Sequence, residues 1–371
     1  MGQLTAALIV RDESGLIEDC LTSLTGQVDE IVLVDTGSRD DTIAKARRFP
    51  IQLHHFNWCD DFSAARNFAI EQASGDWILY IDADERFAVP RPDMLAGILA
   101  DDRNIAWNLR FQPRVDWTPY AELRLFRNDP RIRFRGAIHE SMREGVEHVL
   151  RADGKEIGDC DLTIQHVGYE TDQAYKNARN IPLLRVQLER DPNHLYAWWH
   201  LGECLCLAGD EDGAIATWTE GARRARSLPA AMRRLSDAQS VVSLIRLSIR
   251  RCADVTALLR DARALYPEHL SLRWIEATLA LENGDLDAAR PTLEVMANID
   301  PDGFYDRRLS YDKAIFRHLA KEALALCHFR TGNFAEAARL YRLAALHSPD
   351  REACELKARL AEQRAAAVPC S

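Results

Sequence analysis

Residues 77–87 read WILYIDADERF, and the prediction of the fold starts from this stretch. Trp77–Ile81 is a short run of large apolar residues, which is typical of a strand buried on both faces. Asp82 and Asp84 follow it directly, with Ala83 between them. Strand alternation would direct both carboxylates to one side and Ala83 to the other. The pattern predicts an acidic site at the carboxyl end of a buried strand.

Three further β-rich runs precede this strand, and helical stretches separate them. The predicted strands are Leu4–Val10, Glu30–Asp35 and Ile51–His55, and the predicted helices are Ser14–Leu24, Thr42–Phe49 and Phe62–Ala73. This alternation predicts a parallel sheet covered by helices, because parallel strands need crossover connections. Ligands bind such sheets at the carboxyl ends of the strands. We therefore expect the site to lie just after Val10, Val34 and Ile81.

The chain changes character near residue 170. Between Ala106 and Val167 the pattern is looser, with short β-like runs, many polar turns and a last strand expected over 161–167. From about Thr171 onward the sequence is almost entirely helical. Because domains usually hold roughly 100–200 residues, we predict two domains in this chain. They are an α/β domain with a mostly parallel, Rossmann-like sheet over 1–170, and an all-α domain over 171–371.

An internal repeat organises the helical half. Three segments place a glycine and polar residues between two amphipathic stretches: GDEDGA at 209–214, GDLDAA at 284–289 and GNFAEAA at 332–338. In each segment a small residue lies five positions after the glycine, and a large apolar residue lies nine positions after it. The spacing is similar to that of tetratricopeptide repeats, and three copies predict an array of helical hairpins. Such arrays have a concave surface that often binds peptides. Alternatively, the repeats only brace the first domain or form a homodimer.

Charge and composition exclude several classes of protein. The chain carries 47 basic and 57 acidic side chains, a net charge of −10, which argues against a nucleic-acid binder. Its nine cysteines complete no zinc motif, so we expect free thiols in a reducing compartment. No apolar run reaches the ~20 residues that span a bilayer, and the N-terminal run lacks the basic start of a signal peptide. A cytoplasmic protein without a transmembrane segment is expected.

Two more motifs direct polar groups to the expected crevice. Asp35, in VDTGSRDDT at 34–42, ends a strand and either accepts hydrogen bonds from a base or ribose or only caps its turn. Arg66, in DDFSAARNFA at 60–69, either contacts a pyrophosphate or pairs with a surface acid. Asp82 and Asp84 repel each other unless a cation lies between them. They either hold Mg²⁺ or Mn²⁺ against a diphosphate or form a solvated acidic turn.

Together these motifs resemble the inverting family 2 glycosyltransferases of the GT-A fold. The branch most similar joins this domain to tetratricopeptide repeats, like the bacterial enzymes that glycosylate cysteine in bacteriocin peptides. The resemblance covers roughly residues 4–170 and extends to the repeats. It rests on Arg11-Asp12-Glu13, Asp35-Thr36-Gly37-Ser38, WCDDFSAARN at 58–67, Asp82-Ala83-Asp84-Glu85, RGAIHE at 135–140 and His166-Val167-Gly168-Tyr169. Asp12 departs from the pattern, because relatives usually carry Asn there.

The resemblance implies a hexosyltransferase that moves a sugar from a nucleoside diphosphate sugar, expected to be a UDP-sugar, to a peptide or glycan acceptor. Nucleotide-sugar binding is assigned to Arg11, Asp12, Glu13, Asp35, Arg66, Asp82 and Ala83. A bound Mg²⁺ or Mn²⁺ is assigned to Asp84 and His166. Glu140 is the candidate base, with Asp116 and Glu85 as competitors.

Three alternatives stay open from the sequence. The first is an inactive GT-A fold that acts with its repeats as a protein-binding scaffold. The second is a transferase that builds a lipid-linked or surface glycan. The third is a nucleotidyltransferase, which normally has a glycine-rich loop after the first strand. This chain instead has Arg11-Asp12-Glu13-Ser14 there.

Overall fold

The computed structural model describes residues 2–167 and 173–367, without the side chains of residues 173–176. Within these ranges eight strands form one sheet. They are β1 (Leu4–Val10), β2 (Glu30–Asp35), β3 (Gln52–His55), β4 (Trp77–Tyr80), β5 (Glu85–Ala88), β6 (Asn104–Gln112), β7 (Tyr120–Arg127) and β8 (Glu156–His166). The helices among them are α1 (Ile17–Leu24), α2 (Thr42–Ala46), α3 (Phe62–Gln72), α4 (Pro92–Ala100) and α5 (Arg143–Asp153).

The strand order in this sheet is β3-β2-β1-β4-β7-β6-β8-β5. Strands β1 to β4 pair in parallel, as predicted, and β6 also pairs in parallel with β8. The pairings of β4 with β7, β6 with β7 and β5 with β8 are antiparallel. The prediction of an α/β domain with a mostly parallel sheet is confirmed. Because β1 lies between β2 and β4, the chain order reverses there, and such a reversal opens a crevice at the carboxyl ends of the strands.

Residues on both faces of β1 and β4 belong to the core, which explains their continuous apolar sequence. Leu8 and Leu79 pack on the face that α1 covers, in one cluster of fully buried side chains. Ala7 and Ile78 face the opposite side and pack with Ile70 of α3. Burial on both faces fixes the register, because a slip by one residue would move every side chain to the other face.

The acidic triplet differs from its prediction in one respect. Strand β4 ends at Tyr80, Asp82–Asp84 form a turn, and β5 begins at once with Glu85. The backbone N–H of Glu85 donates to the carbonyl oxygen of Asp82 at 3.0 Å, which closes this turn. Ala83 is nevertheless buried in the core at 3% exposure, whereas Asp82 and Asp84 are partly exposed, so the burial of the triplet still alternates as expected.

The rest of the described chain is helical, as predicted. Its helices are α6 (Gln173–Arg190), α7 (Leu195–Leu207), α8 (Glu211–Ser227), α9 (Gln239–Arg250), α10 (Thr256–Leu265), α11 (Leu270–Glu282), α12 (Leu286–Ala297), α13 (Ala320–Arg330), α14 (Phe334–Ala345) and α15 (Arg351–Ala367). The three predicted repeat turns join α7 to α8, α11 to α12 and α13 to α14. Each turn glycine has a positive φ, at 87° for Gly209, 82° for Gly284 and 79° for Gly332. Left-handed backbone of this kind favours glycine, which explains the repeated residue.

The described chain separates into two compact units. The first holds Met1–Val115 and Tyr120–Arg224, and the second holds Asp116–Pro119 and Ala225–Ser371. The predicted domain boundary at 170/171 lies outside the described residues, as do Gly168 and Tyr169, and it stays a prediction. The homodimer and the cytoplasmic location also stay predictions. None of the described helices combines the length and the apolar composition needed to cross a bilayer.

Candidate functional site

A cavity of about 390 Å³ opens where β1, β2 and β4 end. Seven of the predicted site residues line it: Arg11, Asp12, Glu13, Arg66, Asp82, Ala83 and Asp84. Sequence reasoning missed four further side chains in its lining, those of Thr36, Trp58, Phe62 and Arg179. Trp58 and Phe62 lie inside the WCDDFSAARN motif, and their rings meet edge to face at a centroid distance of 4.8 Å. Two aromatic residues four positions apart in one motif were the signal that could have indicated a wall for a flat ligand group.

The backbone of the acidic turn is held by the neighbouring Glu85 and by two residues distant in sequence. The N–H of Asp82 donates to Oε2 of Glu85 at 2.9 Å, and the thiol of Cys20 donates to the Asp82 carbonyl at 3.4 Å. The carbonyl of Asp84 accepts from the N–H of Val167 at 2.8 Å. Contacts from α1, from β5 and from the residue after β8 therefore hold the backbone that carries both carboxylates.

Arg66 joins two of the predicted acidic residues. Helix α3 begins at Phe62, so Arg66 lies in its first turns and is only 9% exposed. Its Nη2 lies 2.9 Å from Oδ1 of Asp82, and its Nε donates to Oε1 of Glu140. Burial works against the charge, but Asp82 and Glu140 outweigh it and raise the pKa of Arg66 above its ordinary value. The arginine is therefore a fixed positive charge in the wall of the cavity.

Asp84 and His166 form the second charged pair of the site. Oδ2 of Asp84 lies 3.2 Å from Nε2 of His166, and the side chains are 13% and 21% exposed. Burial alone would lower the pKa of His166, but the hydrogen bond to Asp84 and its charge raise it above the ordinary value. The structure thus brings together the two residues assigned to the metal.

Asp84 and His166 could bind a metal ion for which a bound substrate supplies further ligands. Among the described residues, no group of three or more His, Cys, Asp or Glu side chains is arranged to hold a metal ion. Mg²⁺ is usually bound through one or two carboxylates together with phosphate oxygens and water, rather than by a cage of protein ligands. Asp84 and His166, with Asp82 two residues away, meet that requirement if a diphosphate supplies the other ligands.

The departure at Asp12 has a structural context. Asp12 has a φ of 54°, a left-handed conformation in which Asn and Asp are several-fold enriched among non-glycine residues. Its Oδ1 accepts from the N–H of Arg39 at 2.7 Å, and its own N–H donates to Oγ of Ser38 at 3.1 Å. Because Asp suits this backbone as well as Asn, the loop keeps its form at the cavity edge.

Asp35 is the one residue assigned to the nucleotide that is not in the cavity lining. Its Oδ1 accepts from the N–H of Ser38 at 2.9 Å, and its Oδ2 lies 3.3 Å from Nδ1 of His55. Burial raises the pKa of Asp35, but hydrogen bonds from Ser38, Gly37 and His55 outweigh that effect and hold it below the ordinary value. Asp35 therefore shapes the turn after β2, and its contact with a nucleotide stays a prediction.

Glu140 lines a second cavity, of about 250 Å³. The aromatic residues Tyr80, Tyr120 and Phe134 form much of its wall. Glu140 itself is 11% exposed and paired with Arg66, which lines the first cavity. The Arg66–Glu140 ion pair thus connects the linings of the two cavities.

The two competitors for the role of base have other surroundings. Glu85 is 1% exposed and both of its carboxylate oxygens accept from Arg124, so it faces neither cavity. Asp116 belongs to the second compact unit, where its side chain is 78% exposed and lies 3.4 Å from Arg317. Of the three candidates, Glu140 alone lines one of these cavities.

Comparison with known proteins identifies both halves of the chain. Residues 5–154 match the family model of glycosyl transferase family 2, and residues 247–304 match a tetratricopeptide repeat model. The chain is therefore similar to family 2 glycosyltransferases over its first part and to tetratricopeptide repeats within its helical part. This result confirms the resemblance drawn from its motifs.

The names of two relatives correspond to one of these parts each. A TPR repeat-containing protein of Synechococcus elongatus is 37% identical over 241 residues, which is 62% of this chain and 59% of that protein. The glycosyltransferase SunS of Bacillus subtilis is 24% identical over 332 residues, 87% of this chain and 76% of SunS. The chain thus spans little more than half of the first relative.

One solved structure in the comparison is glucosyl-3-phosphoglycerate synthase from Mycobacterium tuberculosis in complex with Mn²⁺, UDP and phosphoglyceric acid. It is 16% identical and covers 51% of this chain and 78% of its own, with a TM-score of 0.37.

Proposed function

We propose that this chain is an inverting, metal-dependent hexosyltransferase that moves a sugar from a UDP-sugar to an acceptor hydroxyl or thiol. The observation that carries the proposal is the cavity of about 390 Å³ at the ends of β1, β2 and β4. It combines the two aspartates of the acidic turn, a buried arginine and an aromatic wall, which are the groups that a metal-bound diphosphate and a flat base require. The family 2 match over residues 5–154 supports the same reaction class.

The donor half of the site follows from the charges in the cavity. Asp84 and His166 would hold Mg²⁺ or Mn²⁺, with Asp82 between the metal and the ribose. A metal bound there would neutralise the charge that grows on the departing diphosphate. Arg66 supports the same task, because its charge is already fixed in place by Asp82 and Glu140 before any ligand arrives.

The acceptor half is assigned to the cavity of about 250 Å³ and to Glu140. Oε1 of Glu140 accepts from Arg66, which leaves Oε2 as the oxygen to take a proton from the acceptor. The nucleophile would then attack the sugar from the face opposite the diphosphate, which inverts the anomeric centre. Glu140 holds the proton, and Arg66 keeps the carboxylate oriented.

A peptide side chain is the acceptor that the repeats favour. Helical hairpin arrays bind extended peptides on their concave faces. Within the described part of the chain, the hairpins α7–α8, α11–α12 and α13–α14 have this architecture. A scaffold without activity would use the same surface, and measuring donor turnover separates the two functions.

The direct test follows nucleoside diphosphate release from a panel of UDP- and GDP-sugars with Mn²⁺, with and without a cysteine- and serine-containing peptide. We expect one donor to be turned over, and turnover to stop in chelator-treated buffer. Release with GDP-sugars alone would contradict the choice of UDP. Failure to bind or turn over any donor, with and without metal, would overturn the proposal that this chain is an enzyme. It would favour the protein-binding scaffold instead.

A further inference from the structure

A buried ion pair lies directly behind the acidic turn. Arg124 of β7 donates to both carboxylate oxygens of Glu85, with Nη1–Oε2 and Nη2–Oε1 distances of 3.0 and 2.8 Å. Glu85 is 1% exposed and Arg124 is 5% exposed. The guanidinium carbon also lies 4.4 Å from the ring centroid of Tyr80 and 4.6 Å from that of Phe111. Two hydrogen bonds and two rings therefore leave this arginine a single orientation.

Glu85 accepts one further hydrogen bond, and its donor is a residue of the candidate site. Its Oε2 accepts from the backbone N–H of Asp82 at 2.9 Å, while its own N–H donates to the Asp82 carbonyl at 3.0 Å. The same residue therefore closes the turn through both its side chain and its backbone. Asp82 and Asp84 lie on this turn and face the cavity, so the position of their carboxylates depends on Glu85.

Stability alone does not account for two buried charges at this place. A buried ion pair must overcome the desolvation of both groups, and apolar residues of similar volume often stabilise a fold equally well or better. The neighbouring core is apolar, with Ala83, Phe87 and Leu125 at 3%, 4% and 1% exposure. What an apolar pair would lack is the acceptor for the Asp82 N–H.

We propose that Glu85 is a positioning residue for the acidic turn, and that Arg124 holds its carboxylate in place. The pair fixes Asp82 and Asp84 before the ligand binds, so the site does not have to order the turn when a metal-bound diphosphate enters. The identity of that ligand rests on the proposed function, whereas the order of the turn without ligand is independent of it.

Two matched double variants separate this role from a purely structural one. Glu85→Gln with Arg124→Met and Glu85→Leu with Arg124→Met both remove the two charges of this ion pair together. Both also remove, to the same extent, the contact of Arg124 Nε with Oε1 of Glu122 at 3.5 Å. They differ in one respect: only glutamine offers an oxygen to the Asp82 N–H. The measurements are amide hydrogen exchange at Asp82 without ligand, the melting temperature, and the affinity for UDP in the presence of Mn²⁺.

We expect the glutamine variant to keep the Asp82 amide protected and to bind UDP with Mn²⁺ close to the parent value. The leucine variant should exchange this amide about 10-fold faster and bind UDP about 10-fold more weakly, at a similar melting temperature. Equal exchange and equal binding in the two variants would overturn the proposal.

A measurement on the unchanged protein guards against variants that fail to fold. A rapidly exchanging Asp82 amide in the parent protein would by itself overturn the positioning role. Exchange is read without nucleotide, so the two proposals fail separately. A parent protein that binds no nucleotide would overturn the proposed function, and the exchange comparison would still decide the role of Glu85.

Discussion

The acidic turn at Asp82–Asp84 and the three repeat turns are all short and polar, but different forces hold them. In the repeat turns the residue after the glycine caps the next helix. Asp210, Asp285 and Asn333 each accept from the backbone N–H three positions later. The acidic turn also has a bond to a residue three positions on, Glu85, but the Glu85 side chain is itself held by Arg124 of β7, and Cys20 and Val167 bind the turn from elsewhere in the chain. A repeat turn is thus a local structure, whereas the acidic turn depends on the whole sheet.

This contrast predicts that a change of one side chain has its largest effects at the acidic turn, and there on binding and turnover. Changes at the repeat turns should alter stability by small amounts and leave the site unchanged. The expected effects decrease from the residues of the site to those of the repeats.

Glu140→Gln should reduce turnover by about 100-fold or more, because it removes the proton acceptor. The amide oxygen can still accept from Arg66, so donor binding should stay near normal. Steady-state kinetics and UDP titration check the two effects separately. The matched change Glu220→Gln, in a repeat-helix ion pair with Arg223 and Arg224, should alter neither. Weakened donor binding in Glu140→Gln would instead assign this residue to the nucleotide or to the fold.

Arg66→Met should lower the free energy of unfolding by about 3–5 kcal/mol, because it leaves the buried Glu140 carboxylate without its partner. Urea denaturation measures the change. Arg223→Met removes an exposed arginine from a repeat helix and should change stability very little. Similar losses in both variants would contradict the difference between the two regions.

Asp84→Ala should reduce metal-dependent turnover by about 100-fold, because it removes the carboxylate assigned to the metal. The control is Asp285→Ala, which removes a helix cap in the repeats and should leave turnover unchanged. If Asp84→Ala retains full turnover in Mn²⁺ and in chelator-treated buffer alike, the metal assignment is wrong.

Much of the difference between the repeat turns and the acidic turn can be predicted from the sequence. The repeat turns were predicted because the glycine, its capping residue and the helix they begin lie within a few positions. Strands β1, β2 and β4 were predicted because burial on both faces gives continuous apolar runs. The site residues were found by type, yet their partners were not. Arg66 and Glu140 are 74 positions apart, and no local pattern pairs them.

The second half of the sheet was predicted only as short β-like runs and a last strand over 161–167, for a related reason. Strands β6 and β8 carry bulges and are partly exposed, which interrupts the alternation that identifies a strand. The turn at Asp82–Asp84 was missed because the sequence does not show that Glu85 folds back onto Asp82. Tertiary hydrogen bonds end β4 there.

Gly332→Ala should destabilise the protein by about 1 kcal/mol, because alanine is strained at a φ of 79°. Gly97, in the middle of α4, has no positive φ, and a methyl group added there would meet no atom within 4 Å. Gly97→Ala should therefore stabilise the protein by up to about 1 kcal/mol. Thermal unfolding of both variants tests the opposite signs, and two changes of the same sign would contradict the role of the turn.

Acid should weaken the fold through a histidine pair within the first compact unit. Nε2 of His139 lies 2.5 Å from Nδ1 of His200. Burial lowers the pKa of both, that of His200 to about 4. Because the unfolded chain binds protons at these residues from an ordinary pKa of about 6.5, stability should be complete above that pH and fall toward pH 4.

Urea denaturation between pH 7 and pH 4 measures this loss of stability. Near neutral pH the loss should be smaller than any other effect predicted above. His200→Gln should flatten the decline, whereas His347→Gln, at an exposed position, should not. An unchanged decline in His200→Gln would show that other groups cause it.

A crystal structure with Mn²⁺ and UDP, with anomalous data collected for manganese, tests the site most directly. We predict one strong anomalous peak between Asp84, His166 and the diphosphate, with Arg66 near the phosphates and the uracil against the Trp58 side of the cavity. Manganese and UDP bound elsewhere, or UDP bound here with no metal at Asp84, would contradict the assignment.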